Sequence, residues 1–278
     1  MKKVNILVLI GYGINCDYET RDGFSLVERA FHLGGAEARR VHINDLIGGR
    51  ESLEGYQILI LPGGFSYGDD IASGKVLANK MKTNLGEEIQ RFIEEGKLIM
   101  GICNGFQVMV KAGLLPGFDG DYGTQRVTLT FNDSGRFENR WVELGNENDS
   151  CVFTRGIERI YLPVAHGEGK FFAEEDVLEK LEYNKQIVFQ YVGEEEKPAG
   201  GRFPYNPNGS LKDIAGICDR TGRIFGLMPH PERYLHFTNH PRWTREKEWL
   251  KREGIPIPEY GKGLQIFKNA IQYVKETL

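Results

Sequence analysis

Short apolar runs alternate with amphipathic segments through residue 113 of the chain. The apolar runs predict buried strands at residues 4–10, 38–43, 57–61 and 98–102. Apolar residues at helical spacing predict helices at 19–33, 85–95 and 104–111, with glycines 34, 96 and 113 at their ends. Because buried strands that alternate with helices are typical of parallel sheets, we expect an α/β fold with helices on both faces.

The rest of the chain is richer in strands. Strand composition recurs at 126–131, 137–144, 159–165 and 187–192, with a helix predicted at 174–181 and a loop at 193–210. Residues 214–218 and 224–228 flank a polar turn and predict a β-hairpin, and 263–278 has the spacing of a final helix. These patterns predict a flavodoxin-like, mostly parallel sheet that carries extra β-hairpins.

Neither an internal repeat nor a low-complexity linker divides the 278 residues, so one domain over 1–278 is expected. The least regular part is 233–262, which includes a charged run at 244–253 that predicts a short helix. This excursion is either a plain surface segment or a segment on which a partner docks, and the sequence leaves both open.

Composition limits the classes of function. The chain is 40% hydrophobic and 27% charged, with a formal net charge of -4, which does not favour a nucleic-acid partner. No stretch approaches 18 apolar residues, and the first apolar run is short and interrupted by Asn5, so neither a membrane span nor a signal peptide is expected. Four scattered cysteines without a C-x-x-C pair predict neither a zinc site nor a disulfide framework, and we expect no metal and a cytoplasmic setting.

The strongest chemical signal is the segment KLIMGICNGFQ, in which a strand passes through Gly101-x-Cys103-x-Gly105 into a helix. This is the cysteine counterpart of the nucleophile elbow, where flanking glycines permit a sharp turn. The turn would place Cys103 at the carboxyl edge of the sheet and at a helix N-terminus, which favours a thiolate. The backbone N–H of Asn104 would then face a developing oxyanion. The alternative is a small buried cysteine at a strand end.

A thiol nucleophile needs a base and a group that orients the base. The segment GLMPHPER offers His230 and Glu232 directly after a predicted strand. The flanking prolines favour extended backbone, which would place both side chains on one side of the chain and let Glu232 accept from the imidazole. Taken alone, this segment could equally be a surface turn. Cys16 follows the first strand, is expected to be partly exposed, and has no assigned role.

Two glycine-rich segments could complete such a site. LPGGFSYGD follows a predicted strand, and its paired glycines could turn a backbone N–H toward an oxyanion, although a phosphate-binding turn or a plain sharp loop would look similar. No P-loop pattern occurs in the chain. PVAHGEG places His166 at a strand end, where a histidine is usually structural, and we do not assign it as a catalytic base.

Six segments together resemble the class I, or triad, glutamine amidotransferases, and more narrowly the glutaminase subunit of phosphoribosylformylglycinamidine synthase from purine biosynthesis. They are LPGGFSYGDD (61–70), GICNGFQ (101–107), NDSGRFENRWV (132–142), PVAHGEGKF (163–171), YNPNGS (205–210) and IAGICDRTGRIFGLMPHPER (214–233). These segments cover most of the chain in the order that the family has. The elbow and the His-x-Glu pair are general to class I, whereas NDSGRF, AHGEGKF and NPNGS indicate this synthase.

The resemblance implies roles for individual residues. Cys103 would be the nucleophile, His230 the acid and base, and Glu232 the residue that orients His230. The resemblance further implies a set of oxyanion and substrate contacts: Gly64 and Asn104 through their backbone N–H groups, Gln107 toward the substrate glutamine, and His166 and Gly167 beside its amino-acid end.

The resemblance also implies partners. This chain would hydrolyse L-glutamine and pass ammonia to a synthetase subunit that converts formylglycinamide ribonucleotide to formylglycinamidine ribonucleotide, with a small third subunit in the complex. No cofactor is implied for this chain, whereas the synthetase partner would bind ATP and Mg²⁺. A stand-alone thiol hydrolase or peptidase would instead be active without a partner, and a non-catalytic binding module would have no need of an intact Cys103, His230 and Glu232.

Overall fold

The computed structural model describes residues 3–31, 36–146, 148–194 and 197–278. The strands are β1 (Val4–Ile10), β2 (Ala36–His42), β3 (Ile58–Leu61), β4 (Leu98–Ile102), β5 (Thr128–Thr130), β6 (Glu138–Asn146), β7 (Arg159–His166), β8 (Lys170–Phe172), β9 (Ile187–Tyr191), β10 (Ile214–Cys218) and β11 (Ile224–Leu227). The α-helices are α1 (Asp17–Phe31), α2 (Ile43–Ile47), α3 (Lys75–Glu94), α4 (Asn104–Ala112), α5 (Glu175–Tyr183), α6 (Trp243–Arg252) and α7 (Leu264–Thr277).

A central sheet organises the molecule, with the strand order β2-β1-β3-β4-β11-β10-β9-β6-β7. The pairings from β2 to β11 are all parallel. This part has the 2-1-3-4-5 order of flavodoxin-like sheets. The predicted α/β fold class is therefore confirmed.

The sheet continues beyond β11 with antiparallel pairings. β10 and β11 form the predicted hairpin, with Gly216 opposite Leu227, and β9, β6 and β7 extend it. The strands predicted at 126–131 and 137–144 lie in different sheets. β5 pairs with β8 in a separate two-stranded sheet, while β6 joins the central sheet.

The core lies on both sides of the parallel strands. Every residue of β3, β4 and β11 is buried, as expected for strands covered on two faces. α1 and α7 pack together through the edge-to-face pair Phe24–Phe267, whose ring centroids are 4.9 Å apart. α3 and α4 pack against each other, and α4 also contacts β3, β4 and β11.

Most predicted boundaries lie within two residues of the observed ones, but α3 is an exception. It begins at Lys75, ten residues before the predicted start at residue 85. Its first turns bury Leu77, Ala78 and Met81 between exposed or half-buried polar residues. This apolar stripe is too narrow for its helical spacing to predict a helix there. The predicted glycine stop of α1, at residue 34, lies outside the described residues.

The segment 233–262 is partly built into the body. Tyr234, Leu235 and Phe237 are buried, and the Tyr234 ring meets Trp141 edge to face at 5.3 Å. The predicted short helix is α6, which buries none of its residues. The single-domain organisation and a docking role for this segment stay predictions. In the part of the chain that is described, no helix combines the length and the apolar character needed to cross a membrane.

Candidate active site

Four loops meet at the carboxyl edge of the parallel strands. They follow β1, β3, β4 and β11, and they carry Cys16, Gly64, Cys103 and His230. Because parallel strands end at one edge of a sheet, residues far apart in the chain converge there.

The turn at Cys103 is sharp. Its φ of 51° and ψ of -106° are unusual for a residue with a side chain and occur at the junction of β4 and α4. The flanking glycines are required by space, because a Cβ would lie 2.5 Å from Met109 Sδ at Gly101 and 1.8 Å from the Leu61 carbonyl oxygen at Gly105. Cys103 itself is only 5% exposed. The geometry is that of a nucleophile elbow.

His230 and Glu232 form a close buried pair, with 2.6 Å between His230 Nδ1 and Glu232 Oε1. The sequence predicts extended backbone for this pair, which is wrong beyond His230. Residues Pro231–Arg233 form a turn of 3-10 helix, since Pro231 is favourable in the first turn and folds Glu232 back toward the ring. Burial alone would lower the pKa of His230, but Glu232 and then Cys103 outweigh it and raise that pKa well above its usual value.

The nucleophile and the histidine both lie next to Gly63. A Cβ on Gly63 would be 2.9 Å from His230 Cε1 and 3.5 Å from Cys103 Cβ. Among the described residues, His230 Nε2 and Glu232 Oε2 are buried without a hydrogen-bond partner. The ring therefore has one nitrogen held by the carboxylate and one free for a reacting group.

Two backbone N–H groups border the thiol. Gly64 has a φ of 148°, and a Cβ there would meet the Gly13 carbonyl oxygen at 2.6 Å. The bonds that join this loop to the loop after β1 run from Phe65 N to Gly13 O and from Asn15 N to Gly63 O. Across the described residues the N–H groups of Gly64 and Asn104 donate to no protein acceptor. Both remain available for an oxyanion.

The side chains of Asn104 and Gln107 are bonded within the protein. Asn104 Nδ2 donates to Gln107 Oε1 at 2.8 Å, and Gln107 Nε2 donates to the Glu168 backbone oxygen at 2.6 Å. Gln107 lines the cavity next to Cys103. Its contact with a substrate stays a prediction.

His166 is held as a neutral ring. Its Nδ1 lies 3.1 Å from Asn132 Oδ1, and its Nε2 lies 3.5 Å from Asn208 Nδ2. Burial, together with the charge on His230, lowers the pKa of His166 to about 4. Asn132 also accepts from Gly169 N and donates to the His166 carbonyl, so the NDSG segment shapes the loop that contains Gly167.

The cavity beside the thiol has a volume of about 150 Å³. It includes the predicted residues Gly64, Cys103, Gln107, His166 and Gly167. Residues that the sequence analysis missed complete the lining: Phe65, Asp69, Ser73, Phe131, Phe137, Ala165 and Glu168. Most of these lie in the segments that carried the resemblance, which is the only signal that could have indicated them. A larger groove of about 610 Å³, between 156–160 and 258–265, contains none of the predicted catalytic residues.

Cys16 and Arg233 lie next to the His230–Glu232 pair, and the sequence analysis gave neither a role. The expectation that Cys16 is partly exposed is wrong. It is 2% exposed, because the loop after β1 is hydrogen-bonded to the loop after β3, and Arg233 Nη2 donates to its Sγ at 3.2 Å.

Atoms of Cys16, His230 and Glu232 lie within 4.8 Å of one another, a spacing that could hold a metal ion. The Arg233 guanidinium beside the Cys16 thiol would repel a cation at this position. The sequence-based expectation that the chain binds no metal stays a prediction.

Comparison with known proteins adds to this geometry. Residues 3–274 match the CobB/CobQ-like glutamine amidotransferase domain family. A Methanococcus maripaludis protein named phosphoribosylformylglycinamidine synthase subunit PurQ is 53% identical over 270 residues, covering 96% of each chain. A protein of the same name from Dehalococcoides mccartyi is 48% identical over the whole of both chains.

Solved structures agree with the sequence matches. A chain from the structure of PurLQS from Thermotoga maritima is 30% identical, with a TM-score of 0.70 over 98% of this chain and 99% of that one. Another Thermotoga maritima structure, of a glutamine amidotransferase, is 15% identical with a TM-score of 0.51 over 99% of both chains. The second likeness supports the fold alone.

Proposed function

This chain belongs to the phosphoribosylformylglycinamidine synthase subunit PurQ family of CobB/CobQ-like glutamine amidotransferases, and from that premise we propose that it hydrolyses L-glutamine through Cys103, His230 and Glu232. The ammonia would serve the conversion of formylglycinamide ribonucleotide to formylglycinamidine ribonucleotide in purine biosynthesis. One observation carries the proposal. A cysteine with strained backbone at the carboxyl edge of the sheet lies next to the same glycine, Gly63, as a histidine that is paired with a buried carboxylate at 2.6 Å.

The raised pKa of His230 favours the imidazolium form, so the ring can hold the proton that the Cys103 thiol gives up when it reacts. The thiolate attacks the side-chain carbonyl carbon of glutamine and forms a carbon–sulfur bond. The carbonyl oxygen becomes an oxyanion within reach of the Gly64 and Asn104 N–H groups, each of which contributes ~3–4 kcal/mol in comparable sites.

Collapse of this intermediate breaks the carbon–nitrogen bond. His230 gives its Nε2 proton to the leaving nitrogen, and ammonia departs. The neutral ring then takes a proton from water, which attacks the thioester and releases glutamate. Glu232 holds Nδ1 throughout, so the proton always moves at the same nitrogen.

A synthetase subunit is the proposed acceptor of the ammonia, and it would bind the ATP and Mg²⁺ that this chain is not proposed to need. Three exposed rings surround the mouth of the cavity: Phe131 is 70% exposed, Phe137 52% and Phe65 46%. Exposed apolar rims of this kind mark protein interfaces. The synthetase subunit would cover this rim, and a small third subunit would complete the complex, as the name PurLQS suggests for the Thermotoga maritima relative.

Covalent labelling by an electrophilic glutamine analogue tests the proposal, read by peptide mass spectrometry with and without the synthetase subunit. We expect modification at Cys103 that accelerates with the partner, and no modification at Cys151, which is fully buried. Cys103→Ala should abolish labelling and glutamine-dependent synthesis while the complex still forms. Retained glutamine-dependent activity in this variant would contradict the assignment of the nucleophile.

A further inference from the structure

Two carboxylates that the proposed chemistry does not use line the cavity with Cys103. They belong to Asp69, in the loop after β3, and Glu168, in the loop after β7. Both side chains are half-buried. Acidic groups inside a small cavity are costly unless something compensates their charge, so their surroundings are informative.

Ser73 joins the two acids. Its hydroxyl donates to Asp69 Oδ2 at 3.0 Å, and its backbone N–H lies 3.2 Å from Glu168 Oε2. Asp69 Oδ1 also accepts from Asn104 Nδ2 at 3.0 Å. The Glu168 backbone oxygen accepts from Gln107, so both acids are connected to the first turn of α4, which follows the nucleophile.

One buried cation, Lys111, lies near enough to these acids for both carboxylates to attract it. Across the described residues neither carboxylate takes part in an ion pair. Lys111 is buried nearby, but its Nζ donates to the Leu129 carbonyl at 3.2 Å, and burial lowers its pKa. Burial raises the pKa of Asp69, and Glu168 adds to this effect by repulsion. Two like charges that repel each other in a cavity would both gain from a cation.

We propose that Asp69 and Glu168 form the subsite that binds the α-ammonium group of glutamine, an inference that rests on the proposed glutaminase function. The amide end of glutamine must reach Cys103, so the amino-acid end lies further along the same cavity, where the acids line the wall. An ammonium group has three donors and can bond both carboxylates at once. This subsite would select free glutamine over simple amides and over glutamine within a peptide, whose nitrogen carries no charge.

The test compares two substrates in the complete complex with the synthetase subunit: L-glutamine and glutaramate, which is glutamine without its amino group. Glu168→Gln keeps the size of the side chain and removes its charge, and the Ser73 N–H is the hydrogen-bond partner of this carboxylate among the described residues. We expect it to raise the KM for glutamine by about 10- to 100-fold with kcat changed less, because a charge-assisted contact is lost. The kcat/KM for glutaramate should stay within about 2-fold.

Asp69→Asn is the second variant, and it should likewise lower the preference of the complex for L-glutamine over glutaramate. Asp70→Asn is the matched control, since Asp70 is exposed and does not line the cavity. If Glu168→Gln and Asp69→Asn weaken both substrates equally, or change neither, the subsite is refuted. If the wild-type complex hydrolyses neither substrate and its Cys103 does not react with the glutamine analogue, the proposed function itself fails. This outcome is distinguishable from failure of the subsite because it is measured on the wild-type complex alone.

Discussion

Protonation of His166 should destabilise the protein at mildly acidic pH. The ring is buried, and its pKa is lowered to about 4 because burial and then the charge on His230 oppose the imidazolium. In the unfolded chain the same ring has a pKa near 6.5. A group with a lowered folded pKa contributes stability above its unfolded pKa, and that stability is lost as pH falls.

The size of the effect follows from the shift. A difference of roughly 2.5 units corresponds to about 3 kcal/mol in the free energy of unfolding, of which about 2 kcal/mol would be lost between pH 7 and pH 5. That is a large share of the 5–15 kcal/mol by which domains are typically stable, so the loss should be readily measured.

Urea unfolding of the wild type and of His166→Gln at pH 7, 6 and 5 isolates the contribution of His166 protonation to the free energy of unfolding, because all other titrating groups are common to both proteins. The wild type should be the more stable protein at pH 7, and its advantage should shrink by about 2 kcal/mol at pH 5. His236→Gln removes an exposed imidazole and serves as the control. Parallel curves for the wild type and His166→Gln would refute the reasoning, as would a ring titration near pH 6.5 observed by NMR.

Three further predictions concern packing and charge at the same edge of the sheet. Gly105→Ala should lower the free energy of unfolding by at least about 3 kcal/mol, since its Cβ would overlap a backbone oxygen. Gly86→Ala, in an open position of α3, should instead raise the free energy of unfolding by roughly 0.5–1 kcal/mol. Urea unfolding measures both changes. Asn132→Ala removes four hydrogen bonds and should cost roughly 2–4 kcal/mol in the same assay, and an unchanged midpoint would contradict its role in shaping the cavity loop. Glu232→Gln removes the charge that raises the pKa of His230, so the alkaline limb of the kcat/KM profile should move to lower pH by roughly 1–3 units; an unmoved limb would show that the carboxylate does not set this pKa.

Local sequence was sufficient for the elements whose pattern is strong. β1, β4 and β10 have the predicted bounds, because short and mostly apolar runs leave little choice of structure. The elbow was also readable, since glycines on both sides of Cys103 are a local requirement of the turn. Where the apolar stripe is narrow, as in the first half of α3, the pattern was too weak.

Which residues come together in the site depended on the tertiary structure. Cys103 and His230 are 127 positions apart in the chain, and they meet because β4 and β11 are parallel neighbours whose ends share one edge. The sequence supplied the glycines, the thiol, the imidazole and the carboxylates. Their mutual distances follow from strand order and register, which are set by contacts between distant segments. The burial of Cys16, the neutral ring of His166 and the approach of Asp69 to Glu168 were decided only at that level, because each depends on loops that follow different strands.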